Sequence, residues 1–367
     1  MRIGVPKEIK SQESRVGLVP GVVHALTDSG HEVFVQAGAG EGVDVSDQTY
    51  ASAGARIVAD AQAVFDAAEL IVKVKEPQPE EIARLKPHHT LFTYLHLAPD
   101  PEQTKALMAS GATCIAYETI TDKAGRLPLL APMSQVAGRM SVQVGAAALL
   151  SPAGGRGLLI GGVPGVQPAK VMILGGGVSG ENAAEMAVGV RADVTLYDIN
   201  PTRLAQLDAQ FDGRLRTQFS ARDAILAGLR EADLVIGAVL VTGAAAPKLV
   251  RRQDLATMKK GAVLVDISID QGGCFETSRP TTHAEPTFVV DGVVHYCVAN
   301  MPGAAPITST YALGAATAPY VMKLADMGMD SAFAADPGFA AGLNVKGGKL
   351  TCRPVAESLG MLDQLAA

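Results

Sequence analysis

Three glycines, Gly175, Gly177 and Gly180, stand in the spacing G-x-G-x-x-G within VMILGGGVSG (residues 171–180). In a chain with 39 glycines that spacing alone is weak, so its context has to decide. The glycines directly follow an apolar strand-like run and open a helix-like one, VSGENAAEMAVGV. A second strand-like run, DVTLYD, ends in Asp198 about 20 residues on, which completes a dinucleotide fingerprint. Each part has a physical task. Gly175 permits the tight turn, Gly177 lets a pyrophosphate approach the backbone, and Gly180 lets helix and strand pack closely. The helix N-terminus offers unbonded N–H groups and a positive dipole end to the phosphates. Asp198 would accept hydrogen bonds from ribose hydroxyls, and its charge would repel a 2′-phosphate, so NAD is expected rather than NADP. Two other glycine runs fail this test. GAGEG (38–42) has Val43 where the last glycine belongs, and GGVPG (161–165) precedes no helix pattern, so both are expected to be turns.

Four further residues stand where strand-like runs end, which is where α/β folds bind ligands. Arg15 lies in QESRVGLVP after the first such run, Lys75 ends LIVKVK, His96 ends TLFTYLH, and Asp270 follows VLVDISI. Arg offers a bidentate fork to a small carboxylate. Moving a hydride from a carbon that bears a hydroxyl or amine also requires a proton to move, and His is poised for that near neutral pH. A plainer reading stands beside each. Lys73 and Lys75 could face solvent on an edge strand, His96 could be a satisfied buried histidine, and Asp270 could cap the next turn. His88 and His89 follow Pro87 and read as a surface turn. His24, His31, His283 and His295 read as structural.

Elements must position these groups, and the chain supplies them by alternation. In the first third, RIGVPKE, HEVFVQAG, LIVKVKEP and TLFTYLHLAP read as strands. PGVVHALTDSG between them reads as a helix that begins with Pro and stops at Gly. PMSQVAGRMSVQVGAAALLSP (132–152) reads as one long helix linking into a second domain. A second series follows: strand KVMIL, helix from Val178, strand DVTLYD, helix from Pro201, strand DLVIGAV, helix around RRQDLATM, strand AVLVDIS and strand VVHYCVAN. The Ala-rich tail from Ala304 reads as helical and as returning to the first domain. The fold class expected is α/β, with two Rossmann-like domains of mainly parallel sheet joined by long helices. The boundaries expected are 1–131 plus 304–367 for the catalytic domain and 132–303 for the nucleotide domain.

At 367 residues the chain is too long for one ordinary core, and 48% hydrophobic with 19% charged residues is a globular composition. A net charge of −6 without a basic run argues against nucleic acid as a partner. Cys114, Cys274, Cys297 and Cys352 form no C-x-x-C pair and read as free thiols. The N-terminus lacks a signal-peptide core, and apolar stretches such as LVIGAVLVTGAAAP break before the roughly 20 residues of a membrane span. A soluble cytoplasmic protein is expected.

Longer blocks carry a resemblance. MRIGVPKEIK with RVGLVP, KVKEPQPEE, LFTYLHLAPD, PLLAPMSQVAGRMSVQVGA, ADLVIGAVLV, GAVLVDISIDQGGCFETSRPTTH and HYCVANMPGA resemble the L-alanine dehydrogenase family over nearly the whole chain. The resemblance implies reversible oxidative deamination of L-alanine to pyruvate and ammonium with NAD, by a homohexamer. It implies that Arg15 and Lys75 hold the substrate's oxygens and that His96 and Asp270 act as acid/base groups. It places Ser134, Val178, Ser179, Asp198, Arg203, Ser220, Val239, Leu240, Ile267, Ser268, Ile269, Arg279, Val298, Ala299, Asn300 and Met301 with the fingerprint glycines at the cofactor. It implies that some members hold magnesium between the Glu118 position and a tail His. Met327 stands in that His position here, and a thioether is a poor magnesium ligand, so no metal is expected. Ile307 stands where many relatives carry Arg or Lys. Similar architectures leave two other readings, an NAD(H)-binding subunit of a proton-translocating transhydrogenase and a dehydrogenase for another amino acid.

Overall fold

A computed structural model of the chain describes residues 1–239 and 246–366. The chain forms two compact units, Met1–Met133 with Ala305–Ala367, and Ser134–Ala304. In the first unit, β1 (Arg2–Val5), β2 (Glu32–Gln36), β3 (Arg56–Val58), β4 (Leu70–Val72), β5 (Thr90–Thr93) and β6 (Thr113–Ala116) lie in the order β3-β2-β1-β4-β5-β6. All five pairings are parallel. Both faces of β1, β4 and β5 are covered, and Ile3, Val5, Ile71, Val72, Leu91 and Phe92 are fully buried. One core cluster gathers Val64, Phe65, Ile71, Leu91, Leu107 and Cys114. The winding reverses between β1 and β4, and the carboxyl ends at such a switch point are where α/β sheets commonly bind ligands.

The second unit repeats the plan. β7 (Lys170–Leu174), β8 (Asp193–Asp198), β9 (Arg216–Phe219), β10 (Leu234–Gly237), β11 (Val263–Asp266), β12 (Thr287–Val290) and β13 (Val293–Tyr296) lie in the order β9-β8-β7-β10-β11-β13-β12. Only β12 is antiparallel among these strands. Alternation along β7 feeds both faces. Val171 and Ile173 pack with Ala183 and Ala187 of the helix Val178–Gly189, while Met172 and Leu174 pack with Val235, Leu264 and Phe275. The switch between β7 and β10 lies at the glycine loop.

Several expectations need correction. The long helix expected over 132–152 spans Ala131–Ala148, and Ser151–Ala153 forms a separate 3-10 turn, since Pro152 cannot donate to a continuing helical ladder. The helix expected around 251–258 is a 3-10 stretch, Arg252–Thr257. The tail is not helical throughout. After the helices Pro306–Met327, Met329–Ala335 and Pro337–Ala340 come β14 (Leu343–Lys346) and β15 (Lys349–Leu350), and β14 extends the first sheet antiparallel to β6. Gly347 and Gly348 both take positive φ at this hairpin's turn, which a two-residue primed turn requires. β3, β6, β9 and β12 also lie where no strand was expected; they are three or four residues long, and β9 and β12 carry exposed positions. Among the described residues no helix is long and apolar enough to cross a membrane.

Candidate active site

The glycine loop has the geometry its spacing asks for. Gly175 sits at φ +102°, and a Cβ there would lie 2.7 Å from the Ala238 carbonyl oxygen of the neighbouring strand's end. A Cβ on Gly180 would lie 1.8 Å from the Gly175 carbonyl oxygen, so helix and loop touch backbone to backbone. A Cβ on Gly177 would meet nothing within 4 Å. Gly177 is the N-cap of Val178–Gly189 and brings no side chain to the helix end, so the N–H groups of Val178, Ser179 and Gly180 receive no capping oxygen from it. Open space above unblocked N–H groups fits a pyrophosphate.

Asp198 ends β8 beside this loop. Its carboxylate accepts from Gly176 N–H at 2.6 Å and Asn200 N–H at 2.8 Å, and retains acceptor capacity for ribose hydroxyls. Arg203 lies over the same loop. It donates through Nε to the Gly176 carbonyl at 2.6 Å and pairs with Glu181. Ser220 donates its backbone N–H to the Asp198 carbonyl at 3.0 Å, just past β9.

Asp270 is exposed on the 3-10 turn Ile267–Gln271, which begins where β11 ends. It does not cap that turn; Asp266 does. Asp266 is fully buried and accepts from Ser268 N–H at 3.0 Å, Cys274 N–H at 3.0 Å and Ser278 Oγ at 2.5 Å. Burial pushes its carboxyl above the ordinary value, against those hydrogen bonds. Ser268 Oγ donates to the Val239 carbonyl at 2.7 Å and joins the ends of β10 and β11, with Ile269 buried beneath. Beyond β13, Val298 is buried, Ala299 donates to the Thr281 carbonyl, and Asn300 takes φ +61° at the start of the 3-10 turn Met301–Ala304. Arg279 is exposed, with its guanidinium 4.2 Å from the Phe288 ring centroid. Ser134 is half-buried on the helix Ala131–Ala148. Leu240 lies outside the described residues.

In the first unit, Arg15, Lys75 and His96 all lie past the carboxyl ends of β1, β4 and β5, which are neighbours in the sheet. The strands stop earlier than expected, at Val72 and Thr93, so Lys75 and His96 sit on the loops beyond. The edge-strand reading of the lysines falls, because β4 is interior and both side chains are buried. Arg15 is held by Glu13, which accepts from Nε at 2.7 Å and from Nη2 at 2.5 Å, while Nη1 donates to Met133 Sδ at 3.0 Å. Burial alone would lower the guanidinium's pKa, but the Glu13 hydrogen bonds and charge raise it overall, so the cation persists in the interior. His96 is half-buried at φ +48°, a left-handed conformation that marks a constrained position in a non-glycine residue. Its imidazole lies parallel to the Tyr94 ring, centroids 5.6 Å apart. The Tyr94 hydroxyl donates to the Leu129 carbonyl at 2.5 Å.

Glu76 is the counter-ion of Lys75, 3.5 Å away, and it also pairs with Lys10. Burial would raise its carboxyl, yet Lys75, the Lys10 hydrogen bond and His96 bring it down to about 2. A depressed carboxyl contributes stability above the unfolded value of 4.5, and that contribution is lost as pH falls through about 2. Glu76→Gln is therefore expected to cost on the order of 3 kcal/mol at pH 7 and clearly less at pH 3. Urea unfolding of both proteins at the two pH values measures this, and an equal gap at both would remove Glu76 from the acid limb.

Residue-by-residue reading missed Glu13, Glu76 and Asp266, and it weighed Glu118 only as a magnesium ligand. Glu13, Glu76, Glu118 and Asp266 each hold a candidate group or its backbone in place. The one visible signal was proximity in sequence, since Glu13 is two residues from Arg15 and Glu76 is next to Lys75. Lys73 is fully buried between Glu8, at 2.9 Å, and Glu81, at 2.7 Å, and it ties the loop after β1 to the end of β4. Burial opposes its charge, but the two carboxylates raise its pKa and keep it protonated. His89 is not on a surface turn. It is buried, with Nε2 2.8 Å from the Phe65 carbonyl and Nδ1 accepting from Lys86 N–H. A magnesium site at Glu118 and position 327 does not fit these residues. Glu118 is engaged by the N–H groups of Leu95 and His96, and Met327 offers a half-exposed thioether. Among the described residues no three His, Cys, Asp or Glu side chains group as metal ligands.

Known proteins share this fold and much of this sequence. Residues 4–137 match the family described as "Alanine dehydrogenase/PNT, N-terminal domain", and residues 141–353 match "Alanine dehydrogenase/PNT, C-terminal domain". The chain is 62% identical to an alanine dehydrogenase of Halomonas elongata over 98% of its own length and 97% of the relative's. It is 55% identical to one of Mycolicibacterium smegmatis, with the same coverage. A solved L-alanine dehydrogenase structure superposes with a TM-score of 0.94 at 50% identity, covering 98% of this chain and 99% of that one. A transhydrogenase structure from Sinorhizobium meliloti, 23% identical with a TM-score of 0.83, shares the fold. With both halves of the chain matched and identity this high over its length, the protein is a member of the alanine dehydrogenase/PNT family.

Proposed function

We propose that the protein is an NAD-dependent L-alanine dehydrogenase that interconverts L-alanine, NAD and water with pyruvate, ammonium, NADH and a proton. The observation that carries this reading is the grouping of two charge-compensated cations, Arg15 and Lys75, with His96 past three adjacent strand ends. The names of the relatives support it. NAD is supported by Asp198, whose carboxylate stands beside the open loop at Gly177, where a 2′-phosphate would be repelled.

When bound, NAD accepts the hydride from the substrate's Cα. Arg15 and Lys75 hold the substrate's oxygens, with Lys75 polarising the carbonyl of pyruvate in the reverse direction. Loss of hydride leaves an iminium; water adds to that carbon, and the carbinolamine releases ammonia. His96 and Asp270 carry the protons of these steps, the imidazole passing them to and from the substrate and the exposed carboxylate orienting water or the amine. The four free thiols support a reducing, cytoplasmic compartment. Ile307 and Tyr311, exposed one turn apart on the helix Pro306–Met327, support a subunit contact in a homohexamer.

NADH formation on mixing the protein with NAD and L-alanine at mildly alkaline pH is the test. Parallel samples hold NADP, glycine, L-serine, L-lysine or D-alanine. Turnover confined to L-alanine with NAD is expected. Turnover of another amino acid in preference to L-alanine would move the substrate assignment. NADH binding without turnover of any amino acid would defeat the dehydrogenase reading and favour a transhydrogenase subunit.

A further inference from the structure

We propose that Glu118 is a positioning residue for His96, holding through two backbone N–H groups the left-handed turn from which the imidazole projects. β5 and β6 are parallel neighbours in register, with Thr93 opposite Ala116. The 3-10 turn Tyr117–Thr119 follows β6 at once and brings Glu118 beside the chain leaving β5. Its carboxylate accepts from His96 N–H at 2.6 Å and from Leu95 N–H at 3.2 Å to each oxygen. A carboxylate accepting from amides forms charge-assisted bonds, stronger than those of a neutral acceptor.

The restraint is needed because His96 sits at φ +48°, which a β-carbon disfavours. Relaxation to negative φ would swing the imidazole away from its stack on Tyr94. That ring is itself fixed by the bond to Leu129, and the Leu95 carbonyl is fixed by Gln103 Nε2 at 2.6 Å. Glu118 is thus the part of the clamp that acts on the backbone of His96 itself. This role also accounts for a carboxylate with no metal-ligating partner at position 327, and it rests on the dehydrogenase reading in which His96 moves protons.

Three variants separate geometry from charge. Glu118→Gln keeps an oxygen that can accept from both N–H groups. Glu118→Asp keeps the charge but shortens the reach by about 1.5 Å. Glu118→Ala removes the acceptor. Glu118→Gln is expected to keep most of kcat, whereas the Asp and Ala variants lose about 10²-fold in kcat with KM for L-alanine changed much less, the signature of a displaced group. NADH affinity stays at the wild-type value in all three, and EDTA leaves the wild type active. Amide hydrogen exchange, read by mass spectrometry on the peptide containing Leu95 and His96, is expected to quicken in the Asp and Ala variants and not in Gln. That readout needs no turnover. If the wild type fails to oxidise alanine, the functional reading falls while the exchange data still judge the clamp. A Gln variant as impaired as Ala, an Asp variant as active as wild type, inactivation by EDTA, or unchanged exchange in Ala would each overturn the proposal.

Discussion

Replacing His96 by Ala or by Asn is expected to lower kcat for L-alanine by about 10²- to 10⁴-fold, the range for losing a positioned acid/base group. NADH binding, followed by its fluorescence, is expected to persist, because the glycine loop and Asp198 belong to the second unit. Two substitutions are needed because of the backbone. His96 is left-handed at φ +48°, a conformation that Asn tolerates several-fold better than most residues and Ala does not. Loss in Ala alone would therefore be a backbone effect. Loss in both assigns the effect to the imidazole, and wild-type turnover in the Asn variant would remove His96 from the chemistry.

Gly180→Ala and Gly177→Ala are expected to fail in different ways, although both alter the same motif. At Gly180 the new methyl would lie 1.8 Å from the Gly175 carbonyl oxygen, a backbone atom held by Gly175's own place between β7 and the helix. Overpacking of this kind costs about 1–3 kcal/mol or more, so the thermal transition should drop and cofactor binding should go with it. At Gly177 the methyl meets no protein atom within 4 Å, and φ is an ordinary −69°. Stability should hold while NADH affinity falls, because the methyl fills the space the phosphates need. Calorimetry and NADH titration on both variants decide this. Unchanged NADH affinity in Gly177→Ala would mean that the open space over the loop is not where the nucleotide lies.

The fold was legible where local and global signals agree. KVMIL, GGG and DVTLYD match strand, turn and strand, with the helix opening at Val178 as expected, because a strand with a buried apolar centre and a glycine turn leave the backbone few alternatives. The tail misled because its Ala-rich composition favours helix over 306–340, while Leu343–Lys346 becomes a strand only by pairing with β6. The segment around 251–258 is a 3-10 stretch for a local reason instead, with Asp254 accepting from Arg251 N–H at 2.7 Å in a short capped turn.

The site divides along the same line. Sequence by itself supplied the candidates: a glycine run in the phosphate-binding spacing, an acidic strand end in the ribose-binding position, and Arg15, Lys75, His96 and Asp270 after strand-like runs. Those assignments depend on residue type and on distance along the chain, and both are explicit in a sequence. Only the tertiary structure decided the surroundings. It buried Lys75 against Glu76 and Arg15 against Glu13, set Asp266 under the turn that carries Asp270, and put Glu118 on the backbone of His96. A hydrogen bond between residues 22 positions apart depends on which strands become neighbours, and β5 and β6 become neighbours through the winding of the whole sheet.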